Sequence, residues 1–280
     1  MNLTQLAGKA EKFRALHAAP GAFVFPNPWD PGSARMLAGL GFPALATSSA
    51  AAAGTLGRRD GDVTRDEAIA MAGAIARAVD VPVAADLENG FGDAPEFVAE
   101  TIRLAAAAGL VGGSIEDATG RADEPVYEIG FATERVAAAV AAARSLPFPF
   151  VLTARAENLI RGRPDLEDTI ARLQAYDRAG ADVLFAPGLR DLAAVRRVCA
   201  AVSKPVNFMN GLKGAWFTVD ALAAAGVKRI SVAASLYRLA MTALRDAAVE
   251  MRDGRTFGFN DRAMPTAELY EFWRDLRTRG

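Results

Sequence analysis

Eight short apolar runs, each followed by a helix-like stretch, are the feature that most restricts the fold of this chain. The stretches between the runs are rich in alanine and arginine and have helical periodicity. Several of them end in glycine just before the next run, where glycine suits a helix C-terminus. The predicted strands are Ala22–Pro26, Ala44–Ser48, Pro82–Leu87, Gly113–Asp117, Phe150–Ala156, Asp182–Ala186, Pro205–Met209 and Arg229–Ala233.

Eight consecutive strand–helix units predict an α/β fold, specifically a (β/α)8 barrel of the TIM type. The predicted strands are largely apolar, as expected for parallel strands covered on both faces. A doubly wound open sheet is the alternative, but no G-x-G-x-x-G follows the first strand, so a dinucleotide site has no support. We expect a single domain over residues 1–280, with an N-terminal helix over 1–18 and C-terminal helices over about 236–280.

The last predicted helix carries an apolar stripe that must be covered by another surface. It either packs on the chain's own barrel or docks on a neighbouring subunit, and the sequence leaves both arrangements open. The stripe consists of Leu269, Phe272, Trp273 and Leu276.

Charge and rare residues exclude several classes of site. A net charge of −1 gives no electrostatic argument for nucleic acid or for an anionic membrane. No apolar run approaches the roughly 20 residues of a membrane-spanning helix, and the N-terminus lacks an apolar signal segment, so we expect a cytoplasmic protein. The single cysteine, Cys199, and the single histidine, His17, argue against a disulfide, a cysteine-cluster zinc site and a Ser-His-Asp triad. We expect both in structural positions.

Carboxylates collect at the carboxyl ends of the predicted strands, where a barrel of this type places its active site. Asp86 and Glu88 follow the third strand, Glu116 ends the fourth, and Asp60 lies on the loop after the second. Carboxylates packed together repel unless some take up protons or a cation joins them. Oxygen ligands suit a hard divalent cation, so one interpretation is a Mg²⁺ or Mn²⁺ site. The other is pairing of each carboxylate with an arginine, such as Arg155.

Two further features lie at the same strand ends. Arg155, on a largely apolar strand, requires an anionic partner, either a substrate carboxylate or a neighbouring glutamate. The small residues around Ser49 and Ala50 allow two interpretations. Either the backbone N–H groups of Ser49 and Ala50 face an anion at a helix N-terminus, or the small side chains simply allow close packing. No predicted strand ends in lysine, which disfavours a Schiff-base aldolase.

Four segments resemble the isocitrate lyase/phosphoenolpyruvate mutase superfamily: GFPALATSSAAAAGTLGRRDG, PVAADLENGFGD, GGSIED and LTARAENLIRG. The likeness runs from about residue 20 to about residue 250, with the segments in the order and spacing of that superfamily. It implies a Mg²⁺-dependent barrel that acts on α-keto or 2-hydroxy carboxylates. It also implies a homo-oligomer, a dimer or a tetramer, that exchanges its C-terminal helices.

The resemblance implies roles for the matching residues. Asp86 is similar to the direct metal ligand, while Asp60, Glu88 and Glu116 are similar to residues that hold metal-bound waters. The chemistry it implies is chelation of an α-oxo acid to Mg²⁺, which stabilises an enolate-like intermediate. We expect Asp60, Glu116 and Arg155 to be catalytic, and the substrate to be bound by Ser48, Ser49, Ala50, Arg155, Asn207 and Arg121.

The loop after the fourth strand departs from the better-known branches of the superfamily. It reads EDATGRADEPVYEIG, without the K-[KR]-C-G-H motif of the lyase branch or the K-T-N motif of the phosphonopyruvate branch, and Arg121 is its only cation. The residues that do match the superfamily are those that the resemblance assigns to stabilising an enolate. They predict a carbon–carbon lyase or decarboxylase for a small α-keto or 2-hydroxy acid.

Two alternatives stay open at this point. One is a phosphoenolpyruvate mutase-type enzyme that breaks a P–C bond, with Arg121 and Arg58 or Arg59 at the phosphoryl group. The other is a non-catalytic barrel that binds keto acids. The sequence does not specify the side chain of the substrate or the general acid and base.

Overall fold

All eight predicted strands are present in the computed structural model, which describes residues 2–274, and each lies within two residues of its predicted ends. The strands are β1 (Phe23–Val24), β2 (Leu45–Ala46), β3 (Val83–Asp86), β4 (Gly112–Glu116), β5 (Val151–Arg155), β6 (Val183–Phe185), β7 (Val206–Met209) and β8 (Val227–Ser231).

Helices follow every strand, as the alternating pattern predicts. They are α1 (Leu3–Ala18), α2 (Pro31–Gly39), α3 (Ser49–Thr55), α4 (Arg65–Ala78), α5 (Pro95–Ala107), α6 (Ile129–Arg144), α7 (Leu166–Arg178), α8 (Leu192–Ala201), α9 (Val219–Ala224), α10 (Ser235–Val249) and α11 (Thr266–Trp273). A π-helix over Glu250–Gly254 and a 3-10 helix over Gly258–Arg262 lie between α10 and α11. Within residues 2–274, none of the helices combines the length and apolar character needed to cross a bilayer.

The strands pair in parallel in the order β1-β8-β7-β6-β5-β4-β3-β2. The two end strands meet where the Ala46 N–H donates to the Pro26 carbonyl at 3.1 Å, so the sheet curls into a TIM-like barrel. This order confirms the predicted barrel and excludes a doubly wound sheet, in which the strand order reverses near the middle.

Helix α1 closes the amino-terminal end of the barrel. It begins with a capping box formed by Asn2 and Gln5. The ring of Phe13 is fully buried and stacks on Phe25 at 5.4 Å between centroids. A Cβ on Gly112 of β4 would lie 2.8 Å from the Phe13 ring, so only glycine leaves room for this plug. The barrel is therefore open to ligands at one end.

The C-terminal segment packs partly on the chain's own barrel. Phe272 of α11 lies against α2, where a Cβ on Gly39 would come within 2.9 Å of its ring. Arg35 Nη1 also donates to the Trp273 carbonyl at 2.9 Å. The described part of the predicted stripe therefore contacts α2, while Leu276, with the rest of 275–280, lies outside the described residues. Exchange of this segment between subunits stays a prediction.

Candidate active site

A cavity of about 1000 Å³ opens at the carboxyl ends of the strands and runs down the inside of the barrel. The polar residues at the strand ends lie on its wall because parallel strands present their carboxyl ends to one side. The predicted site residues on this wall are Ser48, Ser49, Ala50, Asp60, Asp86, Glu88, Glu116, Arg155 and Asn207.

Asp86 ends β3 and is bound by the start of α3. The Ser49 N–H donates to Asp86 Oδ2 at 3.2 Å, and the Ser49 hydroxyl lies 3.1 Å from the same oxygen. The Asp86 N–H in turn donates to the Thr47 hydroxyl at 3.0 Å. The Ser49 donors predicted for a substrate carboxylate therefore lie against a carboxylate of the protein itself.

Arg155 ends β5 and joins three carboxylates inside the cavity. Its guanidinium lies 3.0 Å from Asp86, 3.1 Å from Glu116 and 2.7 Å from Glu157. Only 12% of its side chain is exposed. Arg161 adds a second cation at 3.2 Å from both Glu116 and Glu157. In this arrangement the two arginines supply the counter-charge for these carboxylates. Pairing with arginine is one of the two interpretations of the sequence, the other being a divalent cation.

Glu157 is a member of this network that the sequence prediction did not select. Its side chain is fully buried and its backbone N–H donates to Asp117 at 2.8 Å. The signal was present in the sequence, because a residue two positions after Arg155 on an extended chain projects to the same side.

Two glutamates of the wall hold protons more tightly than usual. Burial, together with the negative charges of Asp86 and Asp60, raises the pKa of Glu88 to about 7. Burial also raises the pKa of Glu116 well above its usual value, although Arg155 and Arg161 act in the opposite direction. Carboxylates that raise one another's pKa have an excess of negative charge between them.

The donor set fits a hard divalent cation by its chemistry, because Asp60, Asp86 and Glu88 offer carboxylate oxygens with unrelieved mutual repulsion. Their present arrangement is not that of a coordination shell. Across residues 2–274, no group of three or more His, Cys, Asp and Glu side chains is placed to hold a metal ion. Asp86 instead turns toward Ser49 and Arg155.

Arg121 is the predicted substrate-binding residue that the structure does not bring to the cavity. Its guanidinium lies 2.9 Å from Asp93 and 2.9 Å from Glu124, and it packs over the Tyr127 ring. The two acidic side chains pull the arginine to the exposed rim. The cation identified on this loop is therefore paired outside the cavity wall, as is Arg58, which pairs with Glu67 at 2.9 Å.

Asn207 lines the cavity, but its amide is used by the wall. The oxygen accepts from Arg229 Nε at 2.8 Å, and the nitrogen donates to the Ser231 hydroxyl at 3.1 Å. Arg229 was not selected from the sequence, where it is one of two adjacent cations in the run VKRIS. Strand alternation shows that only one of the pair can face the axis, without showing which one.

The loop after β3 is held by a buried arginine from α6. Arg135 donates to the backbone carbonyls of Asn89, Gly92 and Asp93, with 2.8 Å to Gly92. Glu88, at the start of this loop, has a φ of 47°, in the left-handed region that residues with a Cβ rarely adopt. The clamp keeps this strained turn beside the cavity.

Comparisons with known proteins identify a family and several relatives of this chain. The sequence model of the family described as phosphoenolpyruvate phosphomutase matches residues 13–252. A crystal structure from Burkholderia cenocepacia J2315, described provisionally as a lyase/mutase, is 55% identical, covers 98% of each chain and has a TM-score of 0.95. The 2-methylisocitrate lyase of Aeropyrum pernix is 30% identical over 89% of this chain and 82% of its own. Oxaloacetate decarboxylase 2 of Pseudomonas fluorescens is 30% identical over 79% of this chain and 77% of its own.

Proposed function

The chain belongs to the phosphoenolpyruvate mutase/isocitrate lyase superfamily, and on that premise we propose that it is a Mg²⁺-dependent carbon–carbon lyase or decarboxylase. Its substrate is a small α-keto or 2-hydroxy carboxylic acid, cleaved through an enolate-like intermediate. The observation that carries this proposal is the convergence of Asp86, Glu88 and Glu116 with Arg155 on one cavity wall. The superfamily is typically Mg²⁺-dependent, which supports the assignment of the ion.

Asp86 would hold the ion directly, and Asp60, Glu88 and Glu116 would hold it through water. When bound, Mg²⁺ would supply Lewis-acid polarisation of the substrate's keto or hydroxyl oxygen. Ser48, Ser49 and Ala50 would bind the substrate carboxylate through hydroxyl and backbone N–H groups. Ser49 contacts Asp86 directly, which supports a shared site for the ion and the acid.

Arg155 would stabilise the negative charge that develops on the substrate's oxygens. Its guanidinium is fixed by Glu116 and Glu157, so it needs no reorganisation during the reaction. The network also keeps the arginine charged, because the carboxylates surround it.

Cleavage of a C–C bond is supported over P–C chemistry by the loop after β4. A phosphoryl group requires cations beside it. The sole cation in this loop, Arg121, is paired with Asp93 and Glu124 at the rim, and Arg58 is paired with Glu67. The curated relatives named above include a 2-methylisocitrate lyase and an oxaloacetate decarboxylase, whose names describe reactions on small acids.

We also propose that the protein is a homo-oligomer. Helix α10 has no buried residue. This helix and the segment after it carry three large apolar side chains that are each more than half exposed, Leu239, Leu244 and Phe257. Apolar side chains concentrated on one segment favour association with another surface. Sedimentation equilibrium should show a dimer or tetramer, and a monomer at all concentrations would contradict this proposal.

A substrate panel tests the proposed reaction. Oxaloacetate, 2-alkylmalates and phosphonopyruvate are incubated with the protein in Mg²⁺ and in EDTA. Release of the keto-acid product is followed, and formation of phosphoenolpyruvate is followed for phosphonopyruvate. Turnover of oxaloacetate or an alkylmalate that stops in EDTA is expected. Release unaffected by EDTA would contradict the metal role, and turnover of phosphonopyruvate alone would favour P–C chemistry. Binding of pyruvate without any turnover would favour a non-catalytic barrel.

A further inference from the structure

Asp117 lies directly behind the cavity wall, between the wall and α7. It follows Glu116 at the end of β4, is almost fully buried and does not itself line the cavity. Its Oδ1 accepts from the backbone N–H of Glu157 at 2.8 Å. Its Oδ2 accepts from the Tyr176 hydroxyl at 2.6 Å and from Arg172 Nη1 at 2.9 Å. Because this carboxylate reaches no ligand, any effect that it has on the cavity passes through the residues that it binds.

The Asp117 side chain extends the pairing of β4 with β5 beyond the last pair of strand residues. The register of the two strands ends at Glu116, which lies opposite Arg155. One residue further, the Asp117 N–H donates to the Arg155 carbonyl at 3.2 Å. The Glu157 N–H then donates to the Asp117 carboxylate instead of to a backbone oxygen. The orientation of this carboxylate therefore determines where Glu157 lies relative to the end of β4.

Glu157 in turn holds the guanidinium of Arg155. Oε1 of Glu157 accepts from Arg155 Nε at 3.1 Å and from Arg155 Nη2 at 2.7 Å. Two bonds from adjacent nitrogens fix both the position and the plane of a guanidinium. A shift of the Glu157 backbone would therefore move the Arg155 guanidinium on the cavity wall.

Helix α7 holds Asp117 from the outer side of the barrel. Arg172 and Tyr176 lie one turn apart on the same face of this helix, and both are buried. The Arg172 guanidinium also donates to the Tyr127 carbonyl at 2.8 Å and to Asp168 at 2.9 Å. A buried network whose members are all bonded keeps each of them in one orientation.

Stability alone does not account for this network. An ion pair as deeply buried as that of Arg172 with Asp117 requires the desolvation of two charges, and packed apolar residues of similar volume are often as stable or more so. The polar groups add a fixed direction for each hydrogen bond, which apolar packing does not provide. Those directions lead from α7 through Asp117 and Glu157 to Arg155.

We propose that Tyr176 and Arg172 are positioning residues for Arg155, acting through Asp117 and Glu157. The inference rests on the proposed function, in which Arg155 stabilises negative charge on the substrate's oxygens. A displacement of about 1 Å in a reacting site can lower the rate by about 100-fold. An interaction that strengthens in the transition state affects kcat more than substrate binding. Loosening of the α7 network should therefore lower kcat and leave KM almost unchanged.

The variant Tyr176→Phe tests the proposal with the smallest change. It removes one hydroxyl from a buried ring that does not line the cavity, so no contact with substrate is lost. On the substrate identified by the panel, kcat should fall by at least about fivefold and KM should stay within about twofold. Tyr270→Phe, on the exposed side of α11, is the matched control and should leave both constants unchanged. An unchanged kcat in Tyr176→Phe, or a change in KM alone, would overturn the proposal.

A double-mutant cycle with Arg155→Lys distinguishes positioning from general support of the fold. Lysine keeps the positive charge at this position but not the two bonds to one oxygen of Glu157. If Tyr176 acts through the guanidinium, Tyr176→Phe should lower kcat much less in the Arg155→Lys protein than in the wild type. Equal factors in the two backgrounds would show that Tyr176 supports the fold as a whole, and the proposal would be wrong.

Hydrogen exchange tests the linkage without any reaction. In Tyr176→Phe the amide of Glu157 should exchange faster than in the wild type, because its acceptor Asp117 is less firmly held, while β8 amides keep their rates. Unchanged exchange at Glu157 would overturn the proposal whether or not the protein is a lyase. If no acid is turned over but exchange at Glu157 rises, the proposed reaction fails and the linkage from α7 stands. If the wild type and Tyr176→Phe turn over the substrate with equal kcat, the lyase stands and the positioning role is wrong.

Discussion

Arg155 and Asp86 form an ion pair at 3.0 Å that joins the carboxyl ends of β5 and β3 inside the cavity. The residues are far apart in sequence, and the pair exists only because the barrel brings their strand ends to one opening. The same guanidinium binds Glu116 and Glu157. Together with Arg161, it therefore offsets the repulsion among three carboxylates, which gives Arg155 a structural role beside its proposed functional one.

Substitution of Arg155 by methionine should destabilise the fold by about 3–5 kcal/mol, because it leaves buried carboxylates without their partner. Urea denaturation measures the free energy of unfolding. Arg144→Met is the matched control, since Arg144 pairs with Asp182 at 2.6 Å but its side chain is 49% exposed. That change should cost about 1 kcal/mol or less. Equal losses in the two variants would contradict the assigned role of Arg155.

Replacement of Asp86 by asparagine should lower kcat/KM by at least about 100-fold, in the range seen when a residue that stabilises the transition state is removed. The side chain keeps its size and can still accept from Ser49, so the melting temperature should change little. Steady-state kinetics on the substrate identified by the panel provide the measurement. Asp123→Asn, on an exposed loop, should retain full activity, and an active Asp86→Asn enzyme would exclude Asp86 as the metal ligand.

The barrel and most of its opening follow from local patterns in the sequence. An apolar run predicts each strand, and the polar residues that follow each strand lie at the opening because the strands are parallel. Asp86, Glu88 and Glu116 could therefore be placed together before any contact was known. The ends of the strands are less well defined, because β1 and β2 form only two residues of ladder each.

The charge partners within the site do not follow from such patterns. Arg121 lies at the rim because Asp93 and Glu124 hold it there, and this depends on how two separate loops meet. Lys228 and Arg229 are adjacent cations whose side chains lie on opposite sides of the sheet. Lys228 donates to backbone carbonyls near the end of α1, while Arg229 enters the barrel. Which one faces inward depends on register across the sheet rather than on composition.

His17 should make the fold sensitive to acid. It donates through Nδ1 to the Phe13 carbonyl and accepts from Arg229 through Nε2, so it must be neutral. Burial, and then the charge of Arg229, lower the pKa of His17 to about 3 from its usual 6.5. Between these values the unfolded chain binds more protons than the folded one, so stability falls as the pH falls through this window.

The comparison with His17→Gln isolates this effect, since glutamine cannot be protonated there. From pH 7 to pH 5 the wild type should lose stability relative to the variant, with a slope approaching about 1.4 kcal/mol per pH unit. Urea denaturation at a series of pH values gives the difference, and the carboxylates titrate in both proteins alike. Parallel stability curves would contradict this, because they would show that His17 binds its proton in the folded protein at the same pH as in the unfolded chain.

Cys199 should be chemically inert and dispensable for activity. Burial raises the pKa of its thiol to about 11, and it packs against Gly226 at the start of β8, outside the cavity wall. The thiolate, which is the reactive form, is therefore scarce near neutral pH. Cys199→Ser should leave kcat/KM unchanged, and a thiol reagent at pH 8 should modify the native protein much more slowly than the urea-unfolded one. Inactivation by that reagent at the native rate of modification would place Cys199 in the reaction.

Removal of the Arg135 clamp should loosen the loop that begins at Glu88. Arg135 binds three backbone carbonyls of residues 89–93, and hydrogen bonds from a charged donor contribute about 1.5–3 kcal/mol each. In Arg135→Met the left-handed turn at Glu88 loses its support, so kcat should fall more than KM rises. Hydrogen exchange should speed up at amides 89–93 while β6, on the other side of the barrel, exchanges as in the wild type. Uniformly faster exchange would show that Arg135 stabilises the whole fold, and unchanged exchange at 89–93 would show that it does not hold the loop.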